Sequence, residues 1–322
     1  RGRHLLPGFV DARASLEASH LAPAEYAKMA IAHGTTTAVI ELADIAAVCG
    51  VKGVTELLEA AEGVGIDFLF SLPHVQVDPR LATVGASINQ QAMTVLDEVP
   101  RRVGYGGYLD CAALVQPDQE ARSPLFRSDS LPLTGSAPGL LGSDLLAYSA
   151  VGITGDDHWL SMEEAEEKLR AGIWLHAHDN STSSMLTLLP AQARRGDTHR
   201  LCLASGRKSP RELSETGFVD SSLRAAVRAG TSGIQAVRSA TLAPATYFHL
   251  SQRGGIAPGY IADLVAVDDL THFQIEMVVR HGKIVEHRGR SLAKASHKQR
   301  ISVGAASILS LIHISEPTRQ AE

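Results

Sequence analysis

The sequence predicts an α/β fold of parallel βα units with a small β domain toward its end, and three observations lead there. Short apolar or β-branched runs recur at residues 38–42, 67–72, 103–109, 173–177 and 201–204, the pattern of strands buried on both faces. Amphipathic stretches at helical spacing alternate with them. After about residue 252 the alternation stops, and residues 262–267 and 276–285 read as strands, the latter broken by a turn at His281-Gly282. Alternation over ~240 residues is compatible with a closed barrel or with a doubly wound open sheet. No Gly-x-Gly-x-x-Gly follows a strand, so a dinucleotide-binding sheet has little support.

Each helix has its own signal. Residues 23–32 and 54–61 carry apolar side chains on one face. Residues 161–171 open on Ser161 with Glu164 three positions later, a capping box; Met162, Ala165 and Leu169 form the apolar stripe and Gly172 stops it. Residues 143–150 and 221–229 supply two more. The chain has 322 residues, 44% hydrophobic and 20% charged, with mean hydropathy +0.01. That is ordinary for a globular protein with a sizeable core. A formal net charge of −5 gives no electrostatic reason to expect nucleic acid or an anionic membrane as partner. No run approaches the ~20 apolar residues of a membrane span. Cys49, Cys111 and Cys202 lie far apart with no Cys-x-x-Cys pair, which suits buried thiols in a reducing compartment. Cytoplasm is the expected location. The chain opens at Arg1 in what reads as mid-protein, and residues 309–322 resemble the translation of a sequencing-library adapter. Both ends are therefore expected to be truncated, with 309–322 making few contacts with the core.

Several motifs then add a family resemblance. Leu6-Pro7-Gly8-Phe9-Val10-Asp11-Ala12 is similar to the Pro-Gly-Phe-Ile-Asp entry into the first barrel strand of metal-dependent amidohydrolases, and His33-Gly34-Thr35-Thr36-Thr37 to the run leading into their second. Ala137-Pro138-Gly139-Leu140, Glu163-Glu164-Ala165 with Lys168-Leu169-Arg170-Ala171-Gly172, Ala240-Thr241-Leu242, Gly255-Ile256-Ala257-Pro258-Gly259 and Ala262-Asp263-Leu264 follow in order. The series resembles the adenine deaminase family of that superfamily. The resemblance implies a TIM-like (β/α)8 barrel over residues 1–252, a partial β-sandwich domain at 253–290 lacking its N-terminal strands, and a tail at 291–322. It also implies hydrolysis of adenine to hypoxanthine and ammonia, with a divalent metal (zinc, manganese or iron) that lowers the pKa of bound water.

The positions that hold the metal in the family are mostly replaced. The His-x-His after the first strand reads Arg13 and Ser15, and arginine has no lone pair to give a metal. The bridging Gly-Glu reads Gly106-Gly107, the histidine before Ala-Pro-Gly is Ser136, the Asp-His-Glu run is Asp156-Asp157-His158, and the paired aspartates after Cys-Leu read Gly206-Arg207. Where the family has Asp-Pro-His-Glu after its second strand, this chain has Glu41-Leu42-Ala43-Asp44. No cofactor is therefore expected in this copy. The Arg13 guanidinium is expected in part of the metal's place, paired with Glu17, Glu41 or Asp156.

Among the retained groups, Glu17 and Asp156 match family carboxylates and are the candidate catalytic residues; the alternative for each is a solvated or capping carboxylate. His176 and His178, at i and i+2 on a strand, point to one side and are the candidate metal pair, with Asp157, His158 or Asp179 as third ligand. Their alternative is packing near the barrel mouth. His33 reads as structural. Three functions follow: an active amidohydrolase on adenine or a related purine, a metal-free relative that keeps the mouth as a binding pocket or oligomer partner, and an enzyme with a rebuilt site on another substrate. A purine-like small molecule and a second copy of the chain are the candidate partners.

Overall fold

A computed structural model describes residues 2–73, 85–86, 90–106, 131–179 and 199–292. Strand β1 (His4–Pro7) leads into eight parallel strands: β2 (Phe9–Ala14), β3 (Thr35–Glu41), β4 (Asp67–Pro73), β5 (Arg102–Gly106), β6 (Thr134–Gly135), β7 (Gly155–Asp156), β8 (Trp174–His178) and β9 (Leu201–Ala204). They pair in sequence order as two four-stranded sheets, β2 to β5 and β6 to β9. Parallel bridges from Tyr105 to Leu133 and from Ala14 to Gly206 join the two sheets on both sides. An open doubly wound sheet would have two free edges; here the eight strands form a ring. The fold is TIM-like.

Period-two alternation splits the side chains between lumen and outer shell. Ala12, Val39, Leu69, Val103, Cys202 and Ala204 pack inside with Tyr247 and Phe248. Their neighbours Ile40, Phe68 and Phe70 face outward into the main core, which includes Tyr26 and Leu223 from the surrounding helices. The lumen is filled, so function is confined to the ends of the barrel.

The expected helices form at Pro23–Ala32, Gly142–Ala150, Met162–Arg170 and Val219–Arg228. The stretch expected at 54–61 starts earlier: helix runs over Ala43–Ala60, broken at Gly50, whose φ of 63° and ψ of −159° suit only glycine. The capping box at Ser161 is half made. Ser161 Oγ accepts from Glu164 N (3.2 Å), but the Glu164 carboxylate accepts from Leu160 N (2.9 Å) and Gly139 N (2.9 Å) instead.

The small sheet is antiparallel, in the order β1, β10 (Leu264–Val267), β11 (Ile275–Arg280), β12 (Lys283–His287) and β13 (Arg290–Ser291). The β11–β12 hairpin turns at His281 and Gly282, both at positive φ (49° and 75°), as a tight two-residue turn requires. The expected boundaries need one correction. Residues 4–7 do not belong with the barrel, because Leu6 pairs with Val265 across β1 and β10; the sheet does have an N-terminal strand. Pairing across 260 residues of chain leaves no trace in local periodicity. Residues 293–322, including 309–322, lie outside the described residues. No helix among the described residues is long and apolar enough to cross a membrane.

Candidate active site at the barrel mouth

The C-terminal ends of the parallel strands converge on a small cleft of about 40 Å³, room for a few waters. Arg13 reaches it from β2 and Glu41 from β3, while Ser15, Ser136 and Asp157 come from the residues directly after β2, β6 and β7. Glu17, Asp44 and Arg207 complete the rim. Backbone contacts fix the first of these. Asp11 Oδ1 accepts from Arg13 N (3.2 Å) and Ser205 N (2.9 Å), and Gly206 N donates to Arg13 O (3.0 Å). This stitches the last strand to the first directly beneath the site. Burial pushes the Asp11 carboxyl up to about 6, against the opposing hydrogen bonds from Ser205 and Arg13.

Arg13 is the centre of the cleft. Its Nη2 lies 2.7 Å from Glu41 Oε2, and its Nη1 contacts Asp157 Oδ2. Burial alone would raise the Asp157 pKa, but the Arg13 guanidinium and the Ser136 hydroxyl hold it below the usual range. Arg207 pairs with Asp44 at 2.6 Å. Glu17 lies in the first turn of a short helix (Leu16–Ser19) that Ser15 caps by accepting from Ala18 N (3.1 Å). Ser15 Oγ also donates to Glu17 Oε2 (3.3 Å). Burial, with the nearby charge of Asp44, pushes the Glu17 carboxyl up to about 7.

Two buried lysines brace the loops behind the cleft. Lys168 Nζ donates to Ala137 O (2.8 Å) and His158 O (2.6 Å) and pairs with Asp156 (3.1 Å) and Glu164 (2.9 Å). It thereby sets the spacing of the loops carrying Ser136 and Asp157. Lys208 does the same for the far side, donating to Gly217 O (3.0 Å) and pairing with Asp179 at 2.9 Å.

Among known proteins, an amidohydrolase family model matches residues 203–285. An adenine deaminase of Desulfatibacillum aliphaticivorans is 34% identical over 288 residues, covering 88% of this chain and 51% of that protein. One from Dehalococcoides mccartyi (strain CBDB1) is 32% identical over 316 residues, covering 98% and 54%. The chain is thus similar to adenine deaminases over most of its own length, and its last part matches the amidohydrolase family. It spans about half the length of the curated relatives it matches. The barrel agrees with the crystal structure of an adenine deaminase (TM-score 0.61, 16% identity, 88% of this chain and 87% of that one) and with that of a D-hydantoinase (0.66, 14%, 92% and 87%).

The family works with a divalent metal, and the mouth residues do not fit one. Of the positions read in the sequence as replaced, Arg13, Ser15, Ser136 and Asp157 line the cleft and Gly206 binds the Arg13 backbone; Gly107 lies outside the described residues. Asp157 and Glu41 could ligate a metal, but the Arg13 guanidinium holds both.

Of the expected partners for Arg13, Glu41 holds it and Asp156 does not. Asp156 turns away from the cleft: it accepts from Ala137 N (3.0 Å) and His158 N (2.8 Å) and pairs with Lys168. Burial pushes its carboxyl up to about 7, against the Lys168 charge. This corrects its place among the catalytic candidates. Asp156 ends β7, and it is the next residue, Asp157, that faces the mouth.

His176 is buried in the lumen, edge-on to Tyr247 at 4.8 Å between ring centroids. Burial pushes its pKa down to about 4, leaving a neutral ring. His176, His178 and Asp157 do not form a trio of metal-capable atoms at bonding separation. Among the described residues one such trio exists, with atoms within 4.8 Å of one another: Asp67, Asp263 and His281. It lies at the opposite end of the barrel, and Arg253 and Arg280 both contact Asp67. The expectation that this chain holds no metal is therefore not supported, because this trio could hold one. His33 holds Asp220 at 3.0 Å, tying the turn before β3 to the helix Val219–Arg228. Sequence reasoning named Arg207 only as a replaced position and Lys168 only within a motif, and it did not single out Lys208. The Glu164–Lys168 spacing of four, with Lys168 one place before the buried Leu169, was the available signal for Lys168.

Proposed function

We propose that this chain is an adenine-deaminase-like amidohydrolase whose mouth has been rebuilt around Arg13, so that the family reaction, adenine and water to hypoxanthine and ammonia, is strongly impaired. The observation that carries this reading is the Arg13 guanidinium seated between Glu41 and Asp157. A fixed cation there opposes a divalent ion and leaves the water nucleophile with a pKa near ~15.7 instead of ~7. General-base help from Glu17, which burial tunes to about 7, recovers only about 10²–10⁴-fold. The deficit wins. A purine-like small molecule remains the proposed ligand.

A second reading has its own observation: both ring nitrogens of His176 are buried without a hydrogen-bond partner, as in a ligand awaiting an ion. One experiment separates the two. Ammonia release from adenine is measured with added zinc, manganese or iron, beside a His176→Ala/His178→Ala variant. Rates at background under every metal support the impaired reading. Metal-dependent turnover lost in the variant supports a rebuilt metal site. Turnover that survives in the variant overturns both.

A further inference from the structure

The cleft at the mouth has a surplus of acceptors. Its two guanidinium groups are engaged, Arg13 by Glu41 and Asp157 and Arg207 by Asp44. Two carboxylate oxygens are not: Oε1 of Glu17 and Oδ1 of Asp157 are buried and accept no hydrogen bond. The Asp157 side chain is 6% exposed, so bulk water does not compensate it. Buried acceptors of this kind are rare and mark a missing partner. Close to this pair, the fully buried His176 ring has both nitrogens open. It offers hydrogen-bonding capacity and no positive charge.

The missing partner must bring donors, and a positive charge makes those hydrogen bonds shorter and stronger. It must also be small. We propose that the mouth cleft binds the N–C–N edge of a small amidinium-class cation, held by the Glu17 and Asp157 carboxylates, with Arg13 fixed beside them by Glu41. The proposal rests on the reading that Arg13 stands where the family has a metal, because a divalent ion would claim the same oxygens. The amidine group is also what the N1–C6–NH₂ edge of adenine presents, so the site keeps a chemical relation to the family's substrate without the hydrolytic centre.

The test is a calorimetric titration of the 322-residue chain with acetamidinium chloride, with acetamide as the neutral analogue of the same shape. Zinc, manganese and iron content are measured on the same sample. Acetamidinium is expected to bind at least about fivefold more tightly than acetamide, a gap of about 1 kcal/mol. Glu17→Gln, which breaks no ion pair, is expected to remove that preference at unchanged melting temperature; Asp157→Asn is expected to abolish binding. Equal binding of the two probes, no binding of either, or a preference that survives Glu17→Gln overturns the proposal. One metal per chain lost on Arg13-preserving substitution of Glu41 and Asp157 counts against the metal-free mouth instead. The titration is then repeated after chelation, so that the amidinium site is judged separately.

Discussion

The barrel carries an arginine–carboxylate centre at each end, and the two are built on different accounts of charge. At the base, Arg253 and Arg280 meet Asp67, the first residue of β4, and Arg253 also holds Asp263 (3.2 Å) and Thr37 (2.8 Å). Two cations face two carboxylates. Burial alone would raise the Asp67 pKa, but the two arginines hold it below the usual range. At the mouth, two guanidinium groups, Arg13 and Arg207, face four carboxylates: Glu41, Asp157, Asp44 and Glu17. The base is balanced and ties the barrel to the small sheet. The mouth has unspent acceptors. Stability at the N-terminal face and ligand chemistry at the C-terminal face is the division this barrel architecture generally shows.

The comparison breaks most visibly behind the mouth. Lys168→Met should cost about 3–5 kcal/mol, because it leaves Asp156 and Glu164 buried without their cation. Urea unfolding midpoints check this, and a loss below 1 kcal/mol would mean that the brace is dispensable. Asp67→Asn at the base should cost about 1.5–3 kcal/mol, the worth of charge-assisted hydrogen bonds left half made.

His176 sharpens the contrast through pH. Its folded pKa, about 4, lies below the ordinary 6.5, so the unfolded chain binds its proton first. The stability it contributes is complete above pH 6.5 and is lost as pH falls toward 4. At pH 5 that loss is about 2 kcal/mol, and His176→Phe should recover it while changing little at pH 7. Asp156 runs the other way. Its folded pKa, about 7, exceeds the ordinary 3.8, so its contribution is present below pH 3.8 and lost as pH rises through 7; Asp156→Asn should flatten that limb of the profile. Identical stability-against-pH curves for parent and both variants would remove these assignments. The smallest effect belongs to Arg207. Its pair with Asp44 is largely open to water, so Arg207→Met should cost less than about 1 kcal/mol in urea unfolding. A cost equal to that of Asp67→Asn would erase the distinction between the two ends.

Much of this was legible beforehand. The strand at residues 201–204 and the helix at 23–32 have the expected bounds, because a short fully apolar run and a one-sided stripe after Pro23 are local signals. Arg13, Ser15 and Ser136 were placed at the mouth by motif alone. The choice between Asp156 and Asp157 was not legible, since both are buried and adjacent; Lys168, from the helix Met162–Arg170, takes Asp156 and leaves Asp157 to Arg13.

The sequence by itself determined the alternation of strand and helix and the resemblance to adenine deaminases, since each is written in residue type and short-range spacing. Ring closure, the docking of β1 against β10, the seating of Arg13 between Glu41 and Asp157, and the neutral His176 were decided only by tertiary structure. The reason is physical. Pairing partners, desolvation and the direction of a carboxylate depend on groups brought together from distant parts of the chain, and no local pattern records which groups those will be.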